Sequence, residues 1–258
     1  MNRINKLFKE KSRDILSVYY TAGYPNLSDT LAIANHLSDS GADLIEIGIP
    51  FSDPVADGPT IQESNNIALN NGMTLKILFE QLEDLRKTND IPVILMGYVN
   101  PILQLGLEEF CRQCQKVGID GLIIPDLPMA EYLRTYKQVF EKYGVKNVFL
   151  ISPQTADERI REIDEHTDAF IYMVSSAGTT GAKDTFEEKQ LSYFKRINTM
   201  NLSNPRLIGF GISNSKTFQQ ATENAQGAII GSAFIKTLAD SDDLKSDIDQ
   251  FVKRIKNN

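Results

Sequence analysis

Histidine and cysteine are scarce in this sequence, and tryptophan is absent. The two histidines, His36 and His166, lie far apart and cannot build the histidine cluster of a zinc-dependent aldolase. The two cysteines, Cys111 and Cys114, form one C-x-x-C pair with no second pair to complete a zinc site. They lie inside the amphipathic stretch LEEFCRQCQKVG, so buried or half-buried helix cysteines are expected rather than a redox pair. No apolar run approaches the roughly 20 residues needed to cross a bilayer. The amino-terminal MNRINKLFKEKSRD is charged throughout and lacks the apolar centre of a signal peptide, so the cytoplasm is the expected location. Positive charge is also in deficit, with 27 basic residues against 34 acidic ones and a net charge of -7. Such a chain, with its lysines scattered, repels nucleic acid and anionic membranes. An anionic substrate would have to be held locally, for example by backbone N–H groups. The first strand-loop, TAGYPN, carries no Gly-rich dinucleotide fingerprint, which argues against an open doubly wound sheet.

What the sequence does contain is alternation. Short apolar runs bounded by Gly, Pro or Asp take turns with segments of helical period. Strands are expected near 15–21, 43–48, 92–98, 121–125, 147–151, 169–175, 206–210 and 228–231. Helical patterns fall near 28–40, 60–70, 74–87, 107–117, 130–143, 156–166, 186–200 and 213–224, with a leading helix over 4–11 and a closing one over 242–256. Ser28-Asp29 and Ser213 are the expected caps of two of them. Runs such as GLIIPD and VFLIS read as strands covered on both faces. About eight βα units in 258 residues predict an α/β fold, a single-domain (β/α)₈ TIM barrel over residues 1–258 with an extra N-terminal helix. No Pro/Gly/Ser-rich linker divides the chain. In a barrel, active residues belong at the carboxyl ends of strands and in the loops that follow.

The loop after the second strand fits that place. In LIEIGIPFSDPVADGPTIQ, Glu46 is a carboxylate in an otherwise apolar strand, and alternation puts Leu44, Glu46 and Gly48 on one side. A carboxylate turned into a barrel interior has a raised pKa, which suits a general acid or base near neutral pH. A structural carboxylate satisfied by backbone or hydroxyl groups is the plain alternative. Asp53 and Asp57 follow among Pro50, Pro54, Gly58 and Pro59, where they can orient a substrate proton, contact a partner or form turns.

Later loops supply the rest. SSAGTTGAKDTF, after strand six, has the small residues of a mobile lid or of a plain surface loop. GFGIS and IIGSAF close strands seven and eight, each before a helix start. Glycine lets backbone approach closely and helix N-termini offer free N–H donors, so the pair reads as a phosphate site, with helix-capping glycines as the bland alternative.

With YYTAGYP, ILMGYVNPI, GIDGLIIPDLP, YMVSSAGTTG and GSAFIK in the same order, these segments resemble the tryptophan synthase alpha family over essentially the whole chain. The resemblance implies aldol cleavage of indole-3-glycerol phosphate to indole and glyceraldehyde 3-phosphate, with indole passed to a beta subunit. It implies Glu46 as acid/base and Asp57 as partner of the indole N–H. Tyr172 would line the site beside Glu46, and Thr180 would help close the lid over it. Gly181, Gly211, Gly231 and Ser232 would hold the phosphate, and Tyr19, Met96, Ile123 and Phe210 would sandwich the indole. No metal or organic cofactor is implied in this chain; pyridoxal phosphate belongs to the beta subunit, in an alpha2-beta2 tetramer. Residues 50–57 and Asn100–Pro101 would face that partner. Tyr19 stands where phenylalanine is usual, Met96 where leucine is common, and Ser176 where some members carry arginine.

Two other readings remain. One is another phosphate-binding barrel enzyme, such as a sugar-phosphate isomerase, which needs neither the Glu46/Asp57 pairing nor an apolar slot. The other is a mainly regulatory subunit that turns over poorly alone. A Schiff-base aldolase would need a lysine near a strand's carboxyl end, and Lys183 sits well into the lid.

Overall fold

The alternation closes on itself. The computed structural model describes residues 1–54, 57–175 and 185–256. Its strands are β1 (Ile15–Thr21), β2 (Leu44–Gly48), β3 (Val93–Met96), β4 (Gly121–Ile123), β5 (Lys146–Ile151), β6 (Ile171–Val174), β7 (Arg206–Gly209) and β8 (Gly227–Ile230). Each pairs in parallel with the next, and β8 returns to β1 through Ile15↔Gly227 to Val18↔Ile230. This is the expected (β/α)₈ barrel. Every residue of β1, β2, β3, β4 and β8 is buried, as strands between a filled interior and a helical shell must be.

The leading helix, Arg3–Glu10, seals the amino-terminal mouth of the barrel. Ile4 is fully buried, and its Cδ1 lies 2.9 Å from where a Cβ on Gly121 would stand, with the Lys146 carbonyl at 3.2 Å, so a larger residue there would have to displace the Ile4 side chain that fills the floor. Asn2 caps the helix by accepting from the Ile4 N–H at 2.9 Å, and its Nδ2 donates to the Asp120 carbonyl at 2.8 Å. The buried Asp120 carboxylate pairs with Arg3 at 3.1 Å and Arg86 at 2.6 Å, and accepts from the Val93 N–H at 3.0 Å. That network fixes the bottom and leaves the carboxyl ends of the strands as the open face.

The helical shell differs from the sequence reading in four places. The segment 74–87 is two helices, Leu75–Gln81 and Leu85–Thr88, because Leu82 and Asp84 adopt ψ near 0. Leu78, Leu82 and Leu85 are all fully buried, so the apolar period runs through the break and hides it. A helix at Val99–Leu105 was not expected, because Pro101 reads as a breaker; it lies in the first turn, where its missing N–H costs nothing. The helix after β7 starts at Ser215 and is capped by Asn214, whose side chain accepts from the Thr217 N–H at 2.9 Å; Ser213 is not the cap. Asp29 does stand at the cap position of the second helix, but without a side-chain bond into it: the chain enters through a 3₁₀ turn, Leu27–Asp29, where the Asp29 carboxylate accepts from the Asn26 N–H at 3.2 Å.

The cysteines are free and buried in the helix Leu107–Val117. Burial pushes the Cys111 thiol up to about 12, the opposite of an activated thiolate.

Candidate active site

Alternation along β2 turns Glu46 inward, onto the same side as Gly48. The register places Tyr19 beside Glu46, and the Tyr19 hydroxyl lies 2.1 Å from where a Cβ on Gly48 would stand. Gly48 thus makes room for a ring from β1 above the carboxyl group. Gly209 does the same on β7, where a Cβ would fall 2.1 Å from the Tyr172 hydroxyl. Two tyrosines can therefore lie across the barrel mouth on either side of one acid.

Glu46 is wholly buried, with 0% of its surface exposed. Its Oε1 accepts from the Ser17 hydroxyl at 2.8 Å, while Oε2 is buried without a hydrogen-bond partner. Burial disfavours the anion and raises the carboxyl pKa to about 8; the Ser17 hydrogen bond pulls the other way and loses. At neutral pH the group is a neutral acid whose free oxygen can give or take a proton at little cost.

Asp57 sits just before the helix Pro59–Asn70, whose cap is Gly58. Burial raises its pKa, and the Tyr98 hydroxyl, donating to Oδ2 at 3.1 Å, lowers it. The adjoining helix N-terminus also favours the anion. Tyr98 is held in turn by stacking on Phe51, with ring centroids 5.0 Å apart. Removing the hydroxyl in Tyr98→Phe leaves the ring and deletes the bond. The acid limb of the pH–rate profile should then move to higher pH, with a loss of about three- to tenfold in kcat/KM, the worth of one hydrogen bond to a charged group. An unmoved limb would separate Tyr98 from Asp57.

Both carboxyl groups line one cavity of about 850 Å³, counted out to its mouth, a size that suits a small organic ligand. Its apolar walls include Tyr19, Met96, Tyr172 and Phe210. Phe210 has φ of +68°, a left-handed conformation costly for a residue with a Cβ. The Ser175 hydroxyl holds it by donating to the Phe210 carbonyl at 2.6 Å, and the ring meets Tyr172 edge-on at 6.3 Å. Gly211 continues the left-handed turn at φ +79°. The far end of the cavity is lined by Gly211, Gly231 and Ser232, where Gly231 caps the helix Ser232–Ala239. The first N–H groups of a helix have no intrahelical partner, so this start, bordering the cavity, is suited to hold an anion.

Nine of the residues expected from sequence thus border one cavity: Glu46, Asp57, Tyr19, Met96, Tyr172, Phe210, Gly211, Gly231 and Ser232. Ile123 does not line it; it is fully buried on β4, beside Met96 in the register. Thr180 and Gly181, with Ser176 and Lys183, lie outside the described residues. Of the two expected helix starts, the one at Ser232 reaches the cavity. The one after β7 does not, since Asn214 occupies its own first turn. Sequence reasoning missed Ser17, Tyr98, Ile61, Ile212 and Lys236. Tyr98 had a signal, a polar ring at the end of the third strand, and Lys236 stood in the quoted GSAFIK.

A model of the tryptophan synthase alpha chain family matches residues 6–258. The chain belongs to that family. It is a lyase that cleaves indole-3-glycerol phosphate by the alpha reaction of tryptophan synthase, in L-tryptophan biosynthesis. The tryptophan synthase alpha chain of Flavobacterium psychrophilum is 60% identical to it over 255 residues, covering 99% of this chain and all of that one. That of Bacteroides fragilis is 58% identical, over 92% of this chain and 90% of that one. The crystal structure of tryptophan synthase subunit alpha from Legionella pneumophila superposes with a TM-score of 0.89 at 34% identity, covering 99% of this chain and 97% of the other.

Proposed function

We propose that the Glu46 carboxyl group carries both proton transfers of the alpha reaction. The observation behind this is a fully buried acid, protonated at neutral pH, with one unpartnered oxygen in a cavity that also holds Asp57 and is bordered by Gly211, Gly231 and Ser232. In this reading Glu46 gives its proton to indole C3, and the ring becomes an indolenine cation. Asp57, ionised, accepts a hydrogen bond from the indole N–H and stabilises that positive charge. The Glu46 carboxylate then takes the proton of the C3′ hydroxyl while the C3–C3′ bond breaks. Its electron pair returns to the ring. Indole and glyceraldehyde 3-phosphate leave, and Glu46 ends protonated, as it began. Each step needs only groups of this chain, so the reaction calls for no cofactor here.

The indole would lie among Tyr19, Met96 and Phe210, with Tyr172 lining the site beside Glu46 and Ile123 buried beside Met96 rather than in contact. The phosphate would rest on Gly181, Gly211, Gly231 and Ser232, with Thr180 closing over the site. We read residues 1–258 as one domain working in the cytoplasm; no described helix is long and apolar enough to cross a membrane. A pyridoxal-phosphate beta subunit would complete an alpha2-beta2 tetramer and receive the indole. Residues 50–57 and Asn100–Pro101 are the proposed contact. A cleft lined by Pro50, Phe51, Asn100 and Pro101 supports that face. So does the exposure of Leu103 at 56% and Leu105 at 38%, since apolar side chains this exposed often mark an interaction site.

The test is to mix the purified chain with indole-3-glycerol phosphate and follow indole, with and without a beta subunit. Release by the chain alone is expected. Release only in the mixture would favour the regulatory reading.

A further inference from the structure

Among the described residues lining the cavity there are two acids, Glu46 and Asp57, and one cation, Lys236. The substrate's phosphate is a dianion at neutral pH, and it approaches a chain of net charge -7. The helix N-terminus at Gly231 offers direction and about half a positive charge, which cannot balance two negative ones. Lys236 lies one turn beyond Ser232 in the helix Ser232–Ala239, on the same face. Helical side chains lean toward the N-terminus of their helix, so the long stem of Lys236 runs back along its own first turn to the cavity mouth. Lys236 is exposed, and among the described residues no acid pairs with it.

We propose that Lys236 is the charge partner of the substrate's phosphate and selects phosphorylated over unphosphorylated indole-glycerol substrates. Backbone N–H groups orient the phosphate; the ammonium balances its charge. The inference rests on the phosphate-site reading above. It assigns Lys236 to binding and leaves the proton transfers to Glu46.

The test compares Lys236→Met and Lys236→Arg in the full chain at low and high ionic strength. For Lys236→Met the KM for indole-3-glycerol phosphate should rise about tenfold at low salt, the worth of one charged hydrogen bond, with kcat within about twofold. The gap from the parent should narrow as salt screens the charge. Lys236→Arg should recover most of the affinity. The inhibition constant of glycerol 3-phosphate should rise in parallel with KM, while that of indole, which has no phosphate, should stay put. An unchanged KM, an arginine variant as weak as the methionine one, or an equal loss of indole binding would overturn the proposal. Failure of glycerol 3-phosphate to compete even in the parent would remove the phosphate site itself. Equal competition in parent and Lys236→Met would remove Lys236 alone.

Discussion

Glu46→Gln should lower kcat by about a thousandfold or more while glycerol 3-phosphate binds as before. In the proposed mechanism two proton transfers run through one carboxyl group, and a single positioned acid or base is ordinarily worth 10²–10⁴ in rate. Glutamine keeps the shape and the Ser17 contact but carries no transferable proton. The same substitution should stabilise the fold in alkali. The Glu46 pKa is raised from 4.5 to about 8 on folding. Folding therefore favours the protonated form, and the associated stability is complete below pH 4.5 and lost as pH rises toward 8. The full loss is on the order of 5 kcal/mol. Glutamine stays neutral, so the variant's melting temperature should equal or exceed the parent's at pH 9 and differ less in its favour at pH 5. Thermal melts at the two pH values check this. A variant that loses its activity but shows the same melting difference at both would separate Glu46's chemistry from its burial.

Asp57→Asn should lower kcat/KM by about a hundredfold, the range found when one group stabilising a transition-state charge is removed. Asparagine can still accept a bond from the indole N–H but brings no negative charge to the indolenine cation. The parent should show a bell-shaped pH profile. Activity falls in acid as Asp57 is protonated, and in alkali above about 8 as Glu46 loses the proton it must deliver. In Asp57→Asn the acid limb should vanish and the alkaline limb remain. Survival of the acid limb would assign it to another group.

The barrel and much of its site were legible in the sequence because their signals are local. An acid amid apolar β-branched residues marks Glu46, and glycines before helix starts mark the cavity end at Gly211 and Gly231. What was illegible depends on register and reach. Ser17 looks like one more strand residue until β1 and β2 are aligned and its hydroxyl meets Glu46, 29 positions away. Gly48 and Gly209 read as strand-end glycines until Tyr19 and Tyr172 are seen lying over them. Tyr98 reads as the end of a strand, yet β3 stops at Met96 and the Tyr98 hydroxyl turns to Asp57, 41 positions earlier. Lys236 is silent in the sequence because helix position alone does not reveal that its side chain reaches the cavity.

The most direct test is a ¹³C NMR titration of glutamate side-chain carboxyl carbons, with the Glu46 signal assigned by its loss in Glu46→Gln. Titration at about pH 8 is the predicted result, since burial without a counter-charge sets the value. Titration near 4.5 would mean an anion at neutral pH, with no proton to hand to the indole ring, and would contradict the mechanism.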